Sequence, residues 1–497
     1  MTAFDKVEGY SSIKAELSRY CDSFKNPEKY QKLGVKAPRG ILLYGEPGIG
    51  KSLMTECFAE ECGCHTYTIR KQYSDGKFLE HIMETFQEAC ENAPSIVILD
   101  DLDKFSNSSY QYRNTDEYVA VQSGIDECKK YDVFVLATAN DIEFLPESLI
   151  RAERFDRIIE MQEPCNEDAK KILTSYLKKT ELSDDVDIDE ILVLLSGRTC
   201  AELEKVVNDA GISAAYAGRD KISYEDLFNA CVRLITGEPD NMDPCAGKNA
   251  ALVAIHEAGH VVVSEYWKRE SVNLSSIVGT SYRIAGVTSH IKDDEKVHSV
   301  EDVVAEVSVM LGGKAASEIM LGFEDCGCGK DIHSAYNLAR TTVAELCWQD
   351  FGTITQVHDS SETNRTNRDD AIRDFLVATY KVTMDIIYSN KTLVRKIAKA
   401  LLEKTTITYK DIRSICMEEG WGANDSNCST HAAQCRMIME TIKNKPRKMR
   451  TVDESTKEAN ICENGNDLFS QKTNEERTIL IAKALVEAFD KGTCLEL

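Results

Sequence analysis

Two histidines four residues apart bracket a glutamate in the run His256-Glu257-Ala258-Gly259-His260. The surrounding residues, 250–266, are rich in alanine and valine and free of proline, so they read as helix. On a helix, positions i and i+4 share a face, with Cβ atoms about 5–6 Å apart. Two imidazoles can therefore aim at one cation, and Glu257 lies within reach of a water on that cation. This is the H-E-x-x-H pattern, in which the histidines hold zinc and the glutamate acts as general base. Zinc lowers the pKa of a bound water towards about 7, which brings hydrolysis within reach at neutral pH. A buried helix with two chance histidines is the competing reading, but it leaves a buried glutamate without a reason. Two histidines do not complete a catalytic site, and a third protein ligand must come from elsewhere. Spacing alone leaves Glu318, Asp325 and Asp331 open for that place.

A second chemistry sits upstream. The apolar run 41–44 reads as a buried strand. It leads into Gly45-Glu46-Pro47-Gly48-Ile49-Gly50-Lys51-Ser52, a match to G-x-x-x-x-G-K-[ST]. A helix follows from 52 to about 61, which is the context the motif needs. Glycines let backbone N–H groups cradle phosphates at a helix N-terminus. Lys51 would reach the β- and γ-phosphates of ATP, and Ser52 would ligate Mg2+. The apolar run 95–99 reads as another buried strand, ending in Asp100-Asp101. Asp100 fits the acid that holds magnesium, and Asp101 would orient the attacking water. A third strand, 133–137, leads to Asn140, a polar residue placed to contact the γ-phosphate. Arg154 and Arg157 follow at a distance that suits fingers acting in trans on a neighbour's ATP. Surface arginines in ordinary ion pairs are the plainer reading of the same two residues.

These motifs need a frame. The chain has 497 residues, room for two or three domains, and 42% of them are hydrophobic. Its 83 acidic and 59 basic residues leave a net charge of −24, which argues against a nucleic-acid or anionic-membrane partner. No run of about 18 apolar residues occurs, and the first residues do not read as a signal peptide. The 18 cysteines lack framework spacing and read as reduced thiols in a cytoplasm. Cys326 and Cys328, near one candidate ligand, read the same way, and His333 is expected on the outer face of its helix. Residues 170–179, 188–196, 201–217 and 224–235 carry apolar residues at helical spacing and read as a helical lid. Residues 237–244, with two prolines, read as a linker. Beyond it, 275–278 and 285–289 read as strands, the second able to pair with an extended peptide. Residues 300–312, 314–320, 332–347, 369–389 and 391–403 read as helices.

The order of these motifs resembles that of the AAA+ ATPases. With a zinc peptidase site in the same chain, it resembles the FtsH-type proteases. The likeness spans roughly 4–418. It includes Phe4-Asp5-Lys6-Val7-Glu8-Gly9, Tyr30-Gln31-Lys32-Leu33-Gly34, Pro38-Arg39-Gly40, Leu149-Ile150-Arg151-Ala152-Glu153-Arg154-Phe155-Asp156-Arg157, Leu311-Gly312-Gly313-Lys314 and Leu401-Leu402-Glu403-Lys404. The resemblance implies an α/β AAA+ ATPase domain, a parallel sheet with a helical lid, followed by a mainly α-helical zinc metalloprotease domain. It implies Asp331 as the third Zn2+ ligand, Arg154 and Arg157 as arginine fingers, Asn140 as sensor, and Val7, Glu8 and Gly9 against the adenine. It further implies protein substrates and a homohexamer. The expected organisation is an ATPase domain at 1–163, lid at 164–237, linker at 238–248, protease domain at 249–418, flexible polar tail at 419–476 and C-terminal helix at 477–490.

Three departures from the family pattern stand out. Membrane spans ahead of the ATPase are absent from this chain, so membrane extraction of substrates is not expected of it. Asp101 stands where the family has glutamate, one methylene longer. The segment 69–86, where the family grips substrate with an aromatic-x-Gly loop, is shorter and lacks that tripeptide. Tyr73 and Phe78 are its aromatic candidates. These differences keep two alternatives in view: an ATP-driven remodeller or adaptor with weak or no proteolysis, and a zinc peptidase whose ring ATP merely stabilises.

Overall fold

The computed structural model describes residues 2–34, 38–71, 77–106, 116–151, 153–237, 248–278, 286–292, 299–322, 326–342, 362–421 and 428–443. The chain divides into two compact units, Met1–Pro446 and Arg447–Leu497. The second unit, which holds the expected C-terminal helix at 477–490, lies outside the described residues.

The chain opens with helices α1 (Ser11–Lys25) and α2 (Pro27–Gln31). Strands β1 (Gly40–Tyr44), β2 (His65–Arg70), β3 (Ser95–Asp100), β4 (Val133–Ala139) and β5 (Arg157–Glu160) form a sheet in the order β2-β3-β4-β1-β5. Every pairing in it is parallel. Parallel strands need helical crossovers that cover both faces, and their residues are accordingly apolar on both sides. Alternate residues divide between two cores. Ile41, Leu43, Ile96, Ile98 and Phe134 belong to one, and Leu42, Val97, Leu99 and Val135 to the other. The crossovers include α3 (Lys51–Cys62), α4 (Phe78–Glu91) and α5 (Asp116–Cys128). Strands β2 and β5 escape a hydrophobicity reading because they lie at the sheet edges and alternate with exposed residues.

The lid consists of α6 (Asn166–Leu177), α7 (Ile188–Leu194), α8 (Cys200–Tyr216) and α9 (Tyr224–Thr236). Capping boxes start the last two: Thr199 with Glu202, and Ser223 with Asp226. Each satisfies two helix-start donors reciprocally.

The peptidase half is built from α10 (Lys248–Trp267), β6 (Val272–Ser276), β7 (Val287–His290), α11 (Val300–Leu321), α12 (Gly329–Arg340), α13 (Glu362–Ser389), α14 (Lys391–Lys404), β8 (Thr406–Thr408), α15 (Tyr409–Glu418) and α16 (Cys428–Lys443). The strands form an antiparallel sheet, β7-β6-β8, with β7 at an edge among the described residues. Two expectations are corrected. The helices expected at 300–312 and 314–320 are one helix that runs through Gly312 and Gly313. The polar tail is not uniformly flexible, because α16 buries Cys435 and Ile438 in the peptidase core. Its polar residues dominate the composition, while a narrow apolar stripe makes the contact.

The two halves meet through the lid. Asn273 Nδ2 donates to the carbonyls of Leu194 and Val193, at 3.3 and 3.4 Å, at the end of α7. Lys410 pairs with Glu190 at 2.6 Å, and Lys292 with Glu163 at 3.0 Å.

Phe134 is fully buried in the sheet, with its ring 4.9 Å from Phe58 and 5.5 Å from Phe24. Phe134→Ala is expected to destabilise the ATPase half by about 3–5 kcal/mol. Chemical denaturation followed by circular dichroism checks this, and an unchanged midpoint would contradict the packing described.

Candidate functional site

Helix α10 carries His256, Glu257 and His260 on consecutive turns, all buried. Asp331 comes from the first turn of α12, not from the loop before it. His256 Nε2 lies 3.1 Å from Asp331 Oδ2 and 3.1 Å from His260 Nε2; His260 Nε2 lies 3.5 Å from the same carboxylate oxygen. A tetrahedral zinc with bonds of about 2.0–2.1 Å places its ligand atoms about 3.3–3.4 Å apart. The three atoms thus have the spacing of three corners of a zinc tetrahedron. They are the one such group of three among the described residues. His260 Nδ1 lies 2.7 Å from the Val309 carbonyl, which fixes that nitrogen as the donor and turns Nε2 to the metal position. Burial alone would raise the Asp331 carboxyl, but hydrogen bonds from both histidines, and their charge, hold it below the usual carboxylate range.

The site needs space as well as ligands. A Cβ on Gly313 would stand 2.5 Å from His256 and 2.6 Å from His260. A Cβ on Gly259 would stand 2.4 Å from the Gly312 carbonyl. Helices α10 and α11 therefore touch backbone to backbone beside the ligands.

Glu257 sits next to the ligand cluster. Its Oε2 accepts a hydrogen bond from Thr288 Oγ1 on β7 at 2.6 Å. A Cβ on Gly286 would meet Oε1 at 2.6 Å, so that glycine leaves room for the carboxylate. Burial raises the Glu257 carboxyl above its ordinary range, although His260, the Thr288 bond and His256 pull the other way. His290, at the end of β7, is pulled down to about 4 by burial and then by His260. Glu318 is occupied elsewhere: Tyr380 donates to it at 2.6 Å, and Lys314 pairs with it at 3.4 Å. Asp325 lies outside the described residues. Cys328 is buried and His333 exposed.

The second site is a cavity of about 630 Å³ lined by Val7, Glu8, Tyr10 and the loop from Pro47 to Ser52. Its size suits a small-molecule ligand. Gly9 does not line it; its left-handed backbone (φ +72°) packs against Asp168. Gly45, Gly48 and Gly50 all have positive φ, which turns the loop around the cavity. Lys51 Nζ donates to the carbonyls of Gly45 (2.6 Å) and Glu46 (2.8 Å) and to Asn140 Oδ1 (3.0 Å). Burial lowers its pKa, against the charges of Asp101 and Asp103. Asp100 Oδ1 accepts from Ser52 Oγ (3.0 Å) and Thr138 Oγ1 (2.7 Å). Ser52 and Asp100 thus converge as a Mg2+ pair requires. Asp101 lines the cavity with a left-handed backbone (φ +56°), a conformation aspartate tolerates, and pairs with Lys104 at 2.9 Å. Asp103, which the sequence reading passed over, orients Asn140 through its backbone and side-chain nitrogens, at 3.1 and 3.3 Å.

Arg154 and Arg157 stay outside their own cavity. Arg154 donates to Asp126 at 2.8 Å and to the Ser148 carbonyl; Arg157 pairs with Glu16 at 2.5 Å. Phe78 is buried edge-on against Phe105, and Tyr73 lies outside the described residues.

Comparison with known proteins identifies both domains. Residues 41–163 match the ATPase family associated with various cellular activities (AAA), and residues 245–415 match peptidase family M41. The chain is thus an AAA ATPase joined to an M41 peptidase. It is 29% identical over 451 residues to the ATP-dependent zinc metalloprotease FtsH of Thermotoga maritima, covering 84% of this chain and 73% of that protein. The FtsH of Caldicellulosiruptor bescii is 28% identical over 451 residues, at 84% and 72% coverage. That of Leptotrichia buccalis is 30% identical over 445 residues, at 84% and 57%. The chain belongs to the FtsH-type AAA metalloproteases.

Asp331→Ala is expected to lower zinc affinity by more than the roughly 10–100-fold that loss of an outer-shell partner costs. Glu318→Ala is expected to leave it unchanged. Metal analysis after dialysis against a graded chelator separates the two, and the reverse pattern would reassign the ligand.

Proposed function

We propose that this chain is an ATP-dependent zinc endopeptidase that unfolds protein substrates by ATP hydrolysis and cleaves them at the His256–Glu257–His260 site. The observation that carries this reading is the convergence of His256, His260 and Asp331 beside a buried glutamate, in one chain with a phosphate-binding loop.

His256, His260 and Asp331 would hold the metal. Zinc supplies Lewis acidity there, polarising the scissile carbonyl and acidifying the attacking water. Glu257 takes the proton from that water and returns it to the leaving amine. Burial raises the carboxyl above its ordinary range, which strengthens it as a base towards that water. Thr288 anchors one carboxylate oxygen and leaves Oε1 towards Gly286. The edge of β7, open among the described residues, can pair with an extended substrate backbone, which would bring the scissile bond alongside Glu257.

In the ATPase half, backbone N–H groups of Glu46, Gly48, Ile49 and Gly50 cradle the phosphates, while Gly45, whose N–H bonds the Ala139 carbonyl, and Pro47 shape the turn. Lys51 leaves its carbonyl partners to reach the β- and γ-phosphates. Ser52 and Asp100 hold Mg2+, Asp101 orients water and Asn140 senses the γ-phosphate. Arg154 and Arg157, placed outside their own cavity, act on the neighbour's nucleotide in a homohexamer. We place this assembly in the cytoplasm. No helix among the described residues is long and apolar enough to cross a membrane.

Casein degradation tests the reading. Cleavage is expected with ATP and lost with a non-hydrolysable analogue, with a chelator and with Glu257→Gln. Cleavage that persists with the analogue would leave a peptidase whose ring nucleotide only stabilises. ATP turnover without cleavage would overturn the protease reading in favour of a remodeller.

Asp101 generates a further expectation. A methylene shortfall displaces the water-orienting oxygen by about a bond length, and misplacement on the 1 Å scale can cost about 10²-fold in rate. Asp101→Glu should therefore raise ATP turnover by about tenfold or more at unchanged KM. An unaltered rate in a coupled-enzyme assay would mean that aspartate is competent here.

A further inference from the structure

Asp100 is matched with a cation that belongs to the protein. The parallel register sets Arg70, last residue of β2, directly beside Asp100, last residue of β3. Cross-strand partners place their side chains on the same face of the sheet. Arg70 Nη2 donates to Asp100 Oδ2, while Oδ1 accepts from Ser52 and Thr138. Both carboxylate oxygens are therefore in use, and the charge is balanced by a guanidinium. The carboxylate is 5% exposed and Arg70 is 52% exposed. The pair thus joins a buried anion to a solvent-facing cation. Burial opposes the charge on Asp100, and the bonds from Thr138, Arg70 and Ser52 outweigh it and keep the group ionised. Arginine is charged at every ordinary pH, so the pair does not depend on titration.

This placement has a consequence for magnesium. A divalent cation that takes a place on Ser52 and Asp100 must displace the guanidinium or share the carboxylate with it. Two cations on one carboxylate repel, and the low exposure of Asp100 keeps solvent from screening them. With Asp100 buried, release of the guanidinium leaves an uncompensated carboxylate, so the pair opens only where another cation takes its place. The neighbouring Asp101 is matched in the same way by Lys104 at 2.9 Å.

We propose that Arg70 is an internal counter-cation at the magnesium acid: it supplies in cis part of the positive charge that Mg2+ would bring, so nucleotide binds with reduced dependence on the metal, and Mg2+ loads only as the Arg70–Asp100 pair opens. This rests on the reading of Asp100 as the magnesium acid.

The test measures nucleotide binding by the full-length chain rather than turnover. A fluorescent methylanthraniloyl-ATP is titrated with saturating Mg2+ and again with EDTA, for wild type, Arg70→Ala, Arg70→Lys, Asp100→Asn and the Arg70→Ala/Asp100→Asn double variant. The quantity of interest is the ratio of the Kd in EDTA to the Kd in Mg2+. Close charge pairs commonly couple strongly enough that this ratio should rise at least about tenfold in Arg70→Ala. Arg70→Lys, which keeps the charge, should show a smaller rise. In the Asp100→Asn background, removal of Arg70 should leave the ratio unchanged. Equal weakening in Mg2+ and in EDTA would overturn the proposal and make Arg70 a phosphate ligand. An unchanged ratio would overturn it and make the pair incidental. Failure of the wild type to bind nucleotide under either condition would instead remove the nucleotide-site reading itself. Thermal unfolding of each variant accompanies the titrations, and the Arg70→Lys chain carries the comparison if Arg70→Ala proves unstable.

Discussion

The peptidase half depends on a contact between two helix backbones. Gly259 on α10 and Gly312 on α11 have no room for a Cβ, and Gly313 next to them leaves the space that the imidazoles of His256 and His260 fill. Close-packed interiors do not yield by an ångström without shifting their neighbours. A side chain at any of these positions would push α11 away from α10. The Val309 carbonyl, which orients His260, would move with it. The ligand geometry is thus a property of helix packing as much as of the ligands. The same pair of helices carries Ala258, Val261 and Val262 against Val304, Val307 and Ala316 in one buried cluster, which holds the approach in place.

The nucleotide half solves a related problem by different means. Its acids and its lysine are satisfied by one another and by the loop backbone. Lys51 rests on two carbonyls and Asn140, Asn140 on Asp103, and Asp100 on Ser52, Thr138 and Arg70. A buried polar group without a partner is costly, so a site designed to bind a highly charged ligand needs internal stand-ins. Binding is then an exchange of partners, not a filling of unmet bonds. This resembles the peptidase site in one respect: Glu257 also has a protein partner, Thr288, that holds it in readiness.

The extent to which the site could be read from sequence follows from the range of each interaction. The His256–His260 pair and the phosphate loop are local patterns, with spacing set by a single helix or a single turn. They stood out for that reason. Asp331 lies 75 residues from His256. Spacing left it level with Glu318 and Asp325, and family likeness singled it out. Thr288, Asp103 and Arg70 act through pairings set by strand register or loop return, which no local period records. Gly312 and Gly313 read as a helix break because glycine is a poor helix former; here the lack of a side chain is the reason they lie in mid-helix. The sheet was legible where strands are buried on both faces, and it was missed at β2 and β5, where one face is open.

Helix α16 changes where this protein ends as a folding unit. The stretch alike to peptidase family M41 stops at residue 415. The packed interior does not stop there. Cys435 and Ile438 complete the core, Gln434 donates to the Tyr266 hydroxyl at 3.1 Å, and His431 lies against the rings of Tyr266 and Trp267. Those two aromatic residues close the C-terminal end of the zinc helix itself. A chain trimmed to the shared segment would therefore uncover the far end of the helix that carries the chemistry. Kinship and foldedness draw different borders here, and the border that matters to the zinc helix lies beyond residue 438.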